Sequence, residues 1–579
     1  MRSLLSSLLA FLSLSASKPN FGFEPHNATI DAVHAALFSG RATCRDIVSL
    51  FISQIETYNP QVNAIITLNP TALDTADALD AILRGKRIEN GDFMIPTGAH
   101  NATIPTSSSS SSSSSAAAAA GLPPLFCIPM LVKDNINTFD MPTTGGSLAL
   151  SALHPNRDAP VLSHLRRAGA ILLAKTNLHE LALEGISVSS LGGQTLNPYD
   201  LSRTPGGSSG GTGAGLAAGF GVLGLGTDTM NSVRSPASAC GVVGMRPGWG
   251  LVDTQGVMPA SFSQDVVGPM TRGVRDAATL LSVMEGGGVD HLSASLDVDE
   301  GRTDGKWLQG MRFGVVETFF NRTASASSDP DVSAVNTVIE SALRKLHDAG
   351  ATLIPITNPL YNSTDIHATM DLQIYEFQNA MDSYLSSHQR TTSPNIPASL
   401  SALYAPGSPF LLLPNQYPQI AHSLHSSPQN ISYIARKQRI SSLRSAIRST
   451  FSTFSLHALI YPHQTTLAVP LGSPSQRGRN GILAAVTGFP AIALPAGYSP
   501  RSENAKEGVP VGMEILGLQG DEGRLLELAE RLEGVLGAGG RVPPVLKRKT
   551  VRGWKRHVGV PELVPDKKNI PKEYPLGAR

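Results

Sequence analysis

The sequence predicts an α/β fold, and three observations carry the prediction. One local pattern occurs twice: an apolar-periodic helix, a glycine stop and a short apolar run. It covers residues 160–168, Gly169 and 170–174, and again residues 341–349, Gly350 and 351–354. A helix that ends on glycine and feeds a strand is half of a βαβ unit. The third observation is compositional. Of 579 residues 41% are hydrophobic and 16% charged, with 55 Gly and 41 Pro, which describes a well-buried, loop-rich chain.

The elements follow in chain order. Residues 29–38 form an amphipathic helix closed by Gly40. Thr43 caps a second helix, with Asp46 at the third position and Ile47, Leu50, Phe51, Ile55 and Tyr58 on one stripe, and Asn59-Pro60 stops it. A low-complexity insert at about 98–121 holds nine serines (107–115) and five alanines (116–120). Such a tract buries too little apolar area to offset its ordering entropy, so it is expected to be a mobile surface loop. From about residue 360 to 450 the pattern blurs into Ser/Pro/His-rich segments with interspersed helices, a variable region expected to face the substrate.

Charge and cysteine content exclude several classes. Lys plus Arg number 46 against 45 acids, a net charge of +1, which does not support capture of nucleic acid. Cys44, Cys127 and Cys240 are too few and too scattered for a disulfide framework or a zinc site.

The first seventeen residues, MRSLLSSLLAFLSLSAS, have the layout of a secretory signal peptide: Arg2, an apolar run, then small residues. The run is too short for a membrane span, so no transmembrane anchor is expected. Asn-X-Ser/Thr sequons at Asn27, Asn101, Asn321, Asn362 and Asn430 are glycosylation candidates, and together with the N-terminus they point to a secreted or lumenal protein. Residues 18–545 then form one domain, and a basic tail follows at 546–579, read as a solvated surface.

The densest punctuation lies between Thr204 and Gly241. Gly213-Ala-Gly215-Leu-Ala-Ala218 imitates a dinucleotide fingerprint, but no strand precedes it. A P-loop needs Lys where Gly211 stands. Gly206-Gly-Ser208-Ser-Gly210 fits the G-x-S-x-G nucleophile elbow, which requires an apolar strand where Asp200-Leu-Ser-Arg-Thr-Pro is found. The remaining reading is a serine-rich site in which glycines let backbone N–H groups converge on a developing oxyanion. Ser235-Pro236 reads as an N-cap and first turn of a helix aimed near Ser232.

These residues resemble the amidase signature family of serine hydrolases, which includes fatty acid amide hydrolases and the A subunits of glutamyl-tRNA amidotransferases. The family carries G-G-S-S-G-G, then G-T-D-x-G-G-S-[IV]-R, with G-I-P-x-x-x-K-D upstream. This chain has CIPMLVKDN at 127–135, GGSSGG at 206–211 and GTDTMNSVR at 226–234. KTNLHE (175–180), TLNPYD (195–200), SQDVVGPMTR (263–272), TGFPAIALPAG (487–497) and VPVGMEILG (509–517) are also similar to family segments. The resemblance spans roughly residues 27 to 540, the insert apart.

It implies a large mixed β-sheet sandwiched between α-helices, and a Ser–cis-Ser–Lys triad with Ser232 as nucleophile, Ser208 as bridge and Lys133 as base. The backbone N–H groups of Thr229, Met230, Asn231 and Ser232 would form the oxyanion hole. The implied substrate is a small-molecule amide, with no cofactor or metal, and a homodimer is compatible with it. A lysine acts as base only when neutral, and the apolar residues 128–132 would bury Lys133 and lower its pKa. Asp228 and Arg234 read as a structural ion pair and Cys240 as inert packing. Two departures stand out: Cys127 replaces a glycine, tolerable in a strand, and Met230-Asn231 replace Gly-Gly, with Met230 filling part of the acyl pocket and Asn231 suited to positive φ. Two rival readings stay open: an α/β-hydrolase-type esterase using Ser208 and a histidine such as His463, and an inactive ligand-binding relative.

Overall fold

In the computed structural model, residues 21–85, 92–94, 103–105, 117, 121–286, 306–405, 408, 416–537 and 543–546 are described. The first twenty residues, where a signal peptide is expected, Asn101, the serine tract and the chain beyond 546 lie outside them.

The N-terminal helices form where capping residues satisfy their free N–H groups. The Thr29 side chain accepts from Ala32 N ahead of the helix Ile30–Phe38. Thr43 and Asp46 make a reciprocal capping box on the helix Cys44–Val62. That helix does not stop at Asn59-Pro60 as expected but runs through Pro60 to Val62. In the last turn a proline removes only one bond, and the buried Asn59 side chain accepts from Ala64 N and Ile65 N, fixing the exit beyond it.

The core is one mixed sheet of eleven strands flanked by helices. Its strands are β1 (Ile65–Leu68), β4 (Pro129–Lys133), β5 (Ile171–Thr176), β8 (Leu223–Asp228), β9 (Val243–Arg246), β10 (Val266–Thr271), β11 (Arg312–Val316), β12 (Thr352–Ile356), β13 (Ala458–Pro462), β14 (Ala491–Tyr498) and β15 (Pro510–Leu516). Two ribbons stand apart, β2 (Asp92–Met94) with β3 (Thr103–Pro105), and β6 (Val188–Ser189) with β7 (Gly193–Gln194). The order across the main sheet is β1-β5-β4-β8-β10-β9-β14-β15-β13-β11-β12. Both glycine-ended helices close the expected units. The helix Pro160–Arg167 joins parallel β4 and β5 through Gly169 at φ +92, and the helix Pro330–Asp348 joins parallel β11 and β12 through Gly350.

Parallel β4 and β8 are the third and fourth strands of the sheet and are buried along their whole length. Chain leaving the carboxyl ends of such strands makes the customary ligand crevice of an α/β sheet. Lys133 ends β4 and Asp228 ends β8. Over this edge the variable region packs helices Gln373–Thr391 and Leu400–Leu403. They contribute Phe377, Met381, Tyr384, Leu385, Leu400 and Leu403 to one apolar cluster with Leu181, Leu183, Met258 and Ala260.

The cysteine reading is corrected. Cys44 and Cys127 form a disulfide with Cα atoms 5.7 Å apart, 83 residues apart in sequence. Spacing could not reveal it, because the sheet alone brings the start of the second helix against the chain entering β4. Cys127 also lies before the strand, not in it, at φ +63, a left-handed conformation that explains why glycine suits this position. Cys240 is free and buried, as expected.

Candidate active site

Lys133 is fully buried, and Asp134, its neighbour, is not its partner: Asp134 pairs with Lys175 at 3.1 Å. Lys133 Nζ instead lies 2.7 Å from Ser208 Oγ and 2.7 Å from Thr227 Oγ1. Burial pushes its pKa down from 10.5 to about 7, the charges of Asp228 and Asp265 opposing the shift only in part. Asn135 Nδ2 donates to the same Thr227 hydroxyl at 3.0 Å.

Ser208 follows no strand, so the nucleophile-elbow geometry is absent. The Gly207–Ser208 peptide is cis. The loop is held from beneath by Ser187, whose hydroxyl donates to Gly206 O at 2.7 Å and accepts from Gly210 N at 3.1 Å, and by His179 N, which donates to Ser208 O at 3.0 Å. Gly211 is obligatory here: a Cβ would stand 2.2 Å from Asn177 O and 2.6 Å from Ala64 O. Ser209 N donates to Ser232 O at 3.1 Å, tying this loop to the next.

Ser232 lies in the turn between β8 and the short helix Arg234–Ala239, and at 8% exposure it is the most open of the three candidate residues. Its hydroxyl makes no hydrogen bond to a described residue. The backbone N–H groups of Thr229, Met230, Asn231 and Ser232 likewise have no partner among the described residues. The helix begins at Arg234, so Ser235-Pro236 are not its N-cap and first residue; Ser235 N already bonds Asn231 O at 2.7 Å within the turn. Neither Met230 nor Asn231 adopts positive φ, so replacing two glycines here imposes no left-handed strain. Met230 packs against the cluster containing Tyr375 and Tyr433, with Gln264 Nε2 donating to its sulfur at 3.5 Å.

The turn rests on a buried ionic network larger than the expected Asp228–Arg234 pair. Arg234 donates to both Asp228 oxygens at 3.1 Å, to Glu514 Oε1 at 2.5 Å and to Met230 O at 2.8 Å. Arg246 donates to Asp228 O at 2.5 Å and Oδ1 at 3.0 Å. Burial works against the Asp228 carboxylate, but Arg234 and Arg246 outweigh it and hold its pKa far below the usual range. Burial likewise opposes Arg234, which Asp228 and Glu514 keep charged. With the carbonyls of Asp228 and Met230 drawn to guanidiniums, the trans peptides turn Thr229 N–H and Asn231 N–H the other way. Asp265 fixes the Thr229 side chain, accepting its hydroxyl at 2.6 Å.

His463 makes no hydrogen bond to Lys133, Ser208 or Ser232. Its Nδ1 donates to Glu514 Oε2 at 2.7 Å. The sequence reading missed Thr227, Ser187, Asp265, Arg246 and Glu514. The only signal for Glu514 was a lone acid in an apolar strand, and Ser187 carried none.

The chain from residue 98 to 526 matches the profile of the Amidase family. This protein belongs to the amidase family. The glutamyl-tRNA(Gln) amidotransferase A-type subunit of Koribacter versatilis (strain Ellin345) is 30% identical over 528 residues, 88% of this chain and 98% of that protein. The native peptide amidase of Stenotrophomonas maltophilia has a similar structure, with a TM-score of 0.70 and 28% identity over 90% of this chain and 98% of that one. The corresponding amidotransferase component of Thermotoga maritima shares the fold at a TM-score of 0.63 and 23% identity, covering 91% of this chain and 99% of that one. The amidase is therefore a hydrolase of the signature family acting on C–N amide bonds, with the mixed sheet that the family resemblance implied.

Proposed function

We propose that this amidase cleaves a small or non-peptide carboxylic amide through an acyl-enzyme on Ser232, with Ser208 and Lys133 as proton relay. The carrying observation is the environment of Lys133: fully buried, without an ion-pair partner among the described residues, pKa about 7, and 2.7 Å from Ser208. A neutral amine has a lone pair, so it accepts the Ser208 proton while Ser208 accepts that of Ser232. Ser232 Oγ then bonds the amide carbon, and the charge on the carbonyl oxygen falls among the N–H groups of Thr229, Met230, Asn231 and Ser232. The relay in reverse protonates the departing amine as the C–N bond breaks. Water repeats the sequence on the ester and frees the acid.

Neither rival reading is favoured. Ser208 is bonded to a lysine rather than a histidine, and the oxyanion turn keeps its N–H groups free of partners among the described residues. Labelling with a fluorophosphonate and mapping the tagged serine by mass spectrometry tests the proposal. A tag on Ser232 that disappears in Ser232→Ala supports it, and a tag on Ser208 overturns it.

Secretion is part of the same proposal. The Cys44–Cys127 disulfide suits an oxidising compartment, and Asn27, Asn362 and Asn430 are exposed, while Asn321 is half-buried. N-terminal sequencing of protein collected from a eukaryotic host's medium checks it. An intact Met1 on an unglycosylated cytosolic product overturns it.

A further inference from the structure

Behind the oxyanion turn lies a second carboxylate whose bonds are divided without overlap. Glu514, on β15, is fully buried. Its Oε1 accepts from Arg234 at 2.5 Å and from Tyr461 OH at 2.8 Å, while Oε2 accepts, among the described residues, from His463 alone, at 2.7 Å. The sheet sets this up. Tyr461 lies directly opposite Glu514 in the β13–β15 register, and His463, two residues on, returns to the same face, its N–H bonded to Gly512 O.

The imidazole and the turn also flank the same glycine. A methyl group on Gly481 would stand 2.7 Å from Asn231 Cβ, 3.1 Å from His463 Cε1 and 3.2 Å from Arg234 Nη1, so these three side chains converge on one glycine. His463 Nε2 is buried with no hydrogen-bond partner among the described residues. The carboxylate can only accept, so Nδ1 is the donor in this bond. The guanidiniums of Arg234 and Arg246 pair with the carboxylates of Asp228 and Glu514 in the same network.

We infer that His463 is a positioning residue for amide cleavage, acting through Glu514 and Arg234 on the Met230 carbonyl and hence on the Asn231 N–H. This rests on the oxyanion role proposed for that turn. Without the Nδ1 donor, Glu514 Oε2 is a buried carboxylate oxygen with no donor among the described residues. Such an oxygen drives its side chain to rotate or take a proton. Either change releases Arg234 from Glu514, and the Arg234 bond to Met230 O slackens with it. The oxyanion forms only in the transition state, so the loss falls on kcat and leaves KM nearly unchanged.

The experiment compares His463→Asn, His463→Gln and His463→Ala in the full chain. Asparagine places an N–H near the position of Nδ1, and glutamine places one near Nε2. His463→Asn should keep kcat within about threefold of wild type, while His463→Gln and His463→Ala should each lose about tenfold or more, a fraction of the 10²–10³ that follows loss of an oxyanion donor itself. Fluorophosphonate tagging of Ser232 should slow in the same order. Thermal melts accompany each variant. If alanine does not fold, the asparagine–glutamine pair decides alone, since both retain a polar side chain of similar size. Equal kcat for asparagine and glutamine, or a wild-type kcat for either glutamine or alanine, overturns the inference. Failure of the underlying reading looks different: wild-type protein would then carry its tag elsewhere than Ser232, or none.

Discussion

Two buried cation sites flank the reactive loops, and they solve the same problem in opposite ways. Lys133 and Arg234 are both fully removed from water. Arg234 meets two carboxylates and keeps its charge; Lys133 meets hydroxyls and an amide-held threonine, and its pKa falls to about 7. Burial is common to both, so the partner decides. Where ions balance, the network is scaffold. At the proposed base, no carboxylate among the described residues forms an ion pair with the amine.

The contrast breaks most sharply on activity. Lys133→Ala should lower amide turnover by about 10²–10⁴-fold, the usual worth of a general base, while a thermal melt shows no loss of folding. The same residue sets a pH limb. With a folded pKa near 7, kcat/KM should rise through pH 7 as the amine becomes neutral. The stability effect has a definite sign. The unfolded chain binds more protons than the native one between about pH 7 and the ordinary lysine pKa of about 10.4, so Lys133 makes stability rise with pH across that window and fall as pH drops back toward 7. Lys133→Met should remove this slope, as read from urea midpoints at several pH values.

Next in size is the opposite site. Asp228→Ala leaves Arg234 and Arg246 short of an anion and should cost about 3–5 kcal/mol of stability, measured by denaturant unfolding. A variant that unfolds no more easily than wild type would mean the network is not the scaffold described. Smaller again, opening Cys44–Cys127 by Cys44→Ser with Cys127→Ser should cost about 2–4 kcal/mol while leaving the pH limb of turnover in place, since neither sulfur reaches the lysine's hydrogen-bond partners. The smallest effect belongs to the turn. Met230→Gly with Asn231→Gly should bring no gain in kcat, because neither residue needs positive φ, and should cost about 0.5–1 kcal/mol in backbone freedom at each position.

By itself the sequence determined whatever is local or carried in a run of neighbours. Glycine stops after 168 and 349 marked both βαβ units, Thr43 and Asp46 announced a helix start, and an apolar run ahead of Lys133 already implied a buried strand. The motifs at 127–135, 206–211 and 226–234 named the residues that the structure brings together. Tertiary structure alone decided the rest, because the deciding partner is distant in sequence. Thr227 reaches Lys133 only through parallel pairing of β4 with β8, Glu514 reaches Arg234 only because β15 packs into the same sheet, and Cys44 finds Cys127 across 83 residues. Whether a buried lysine is base or scaffold depends on which charges stand beside it. That is a property of space, which composition and spacing do not encode.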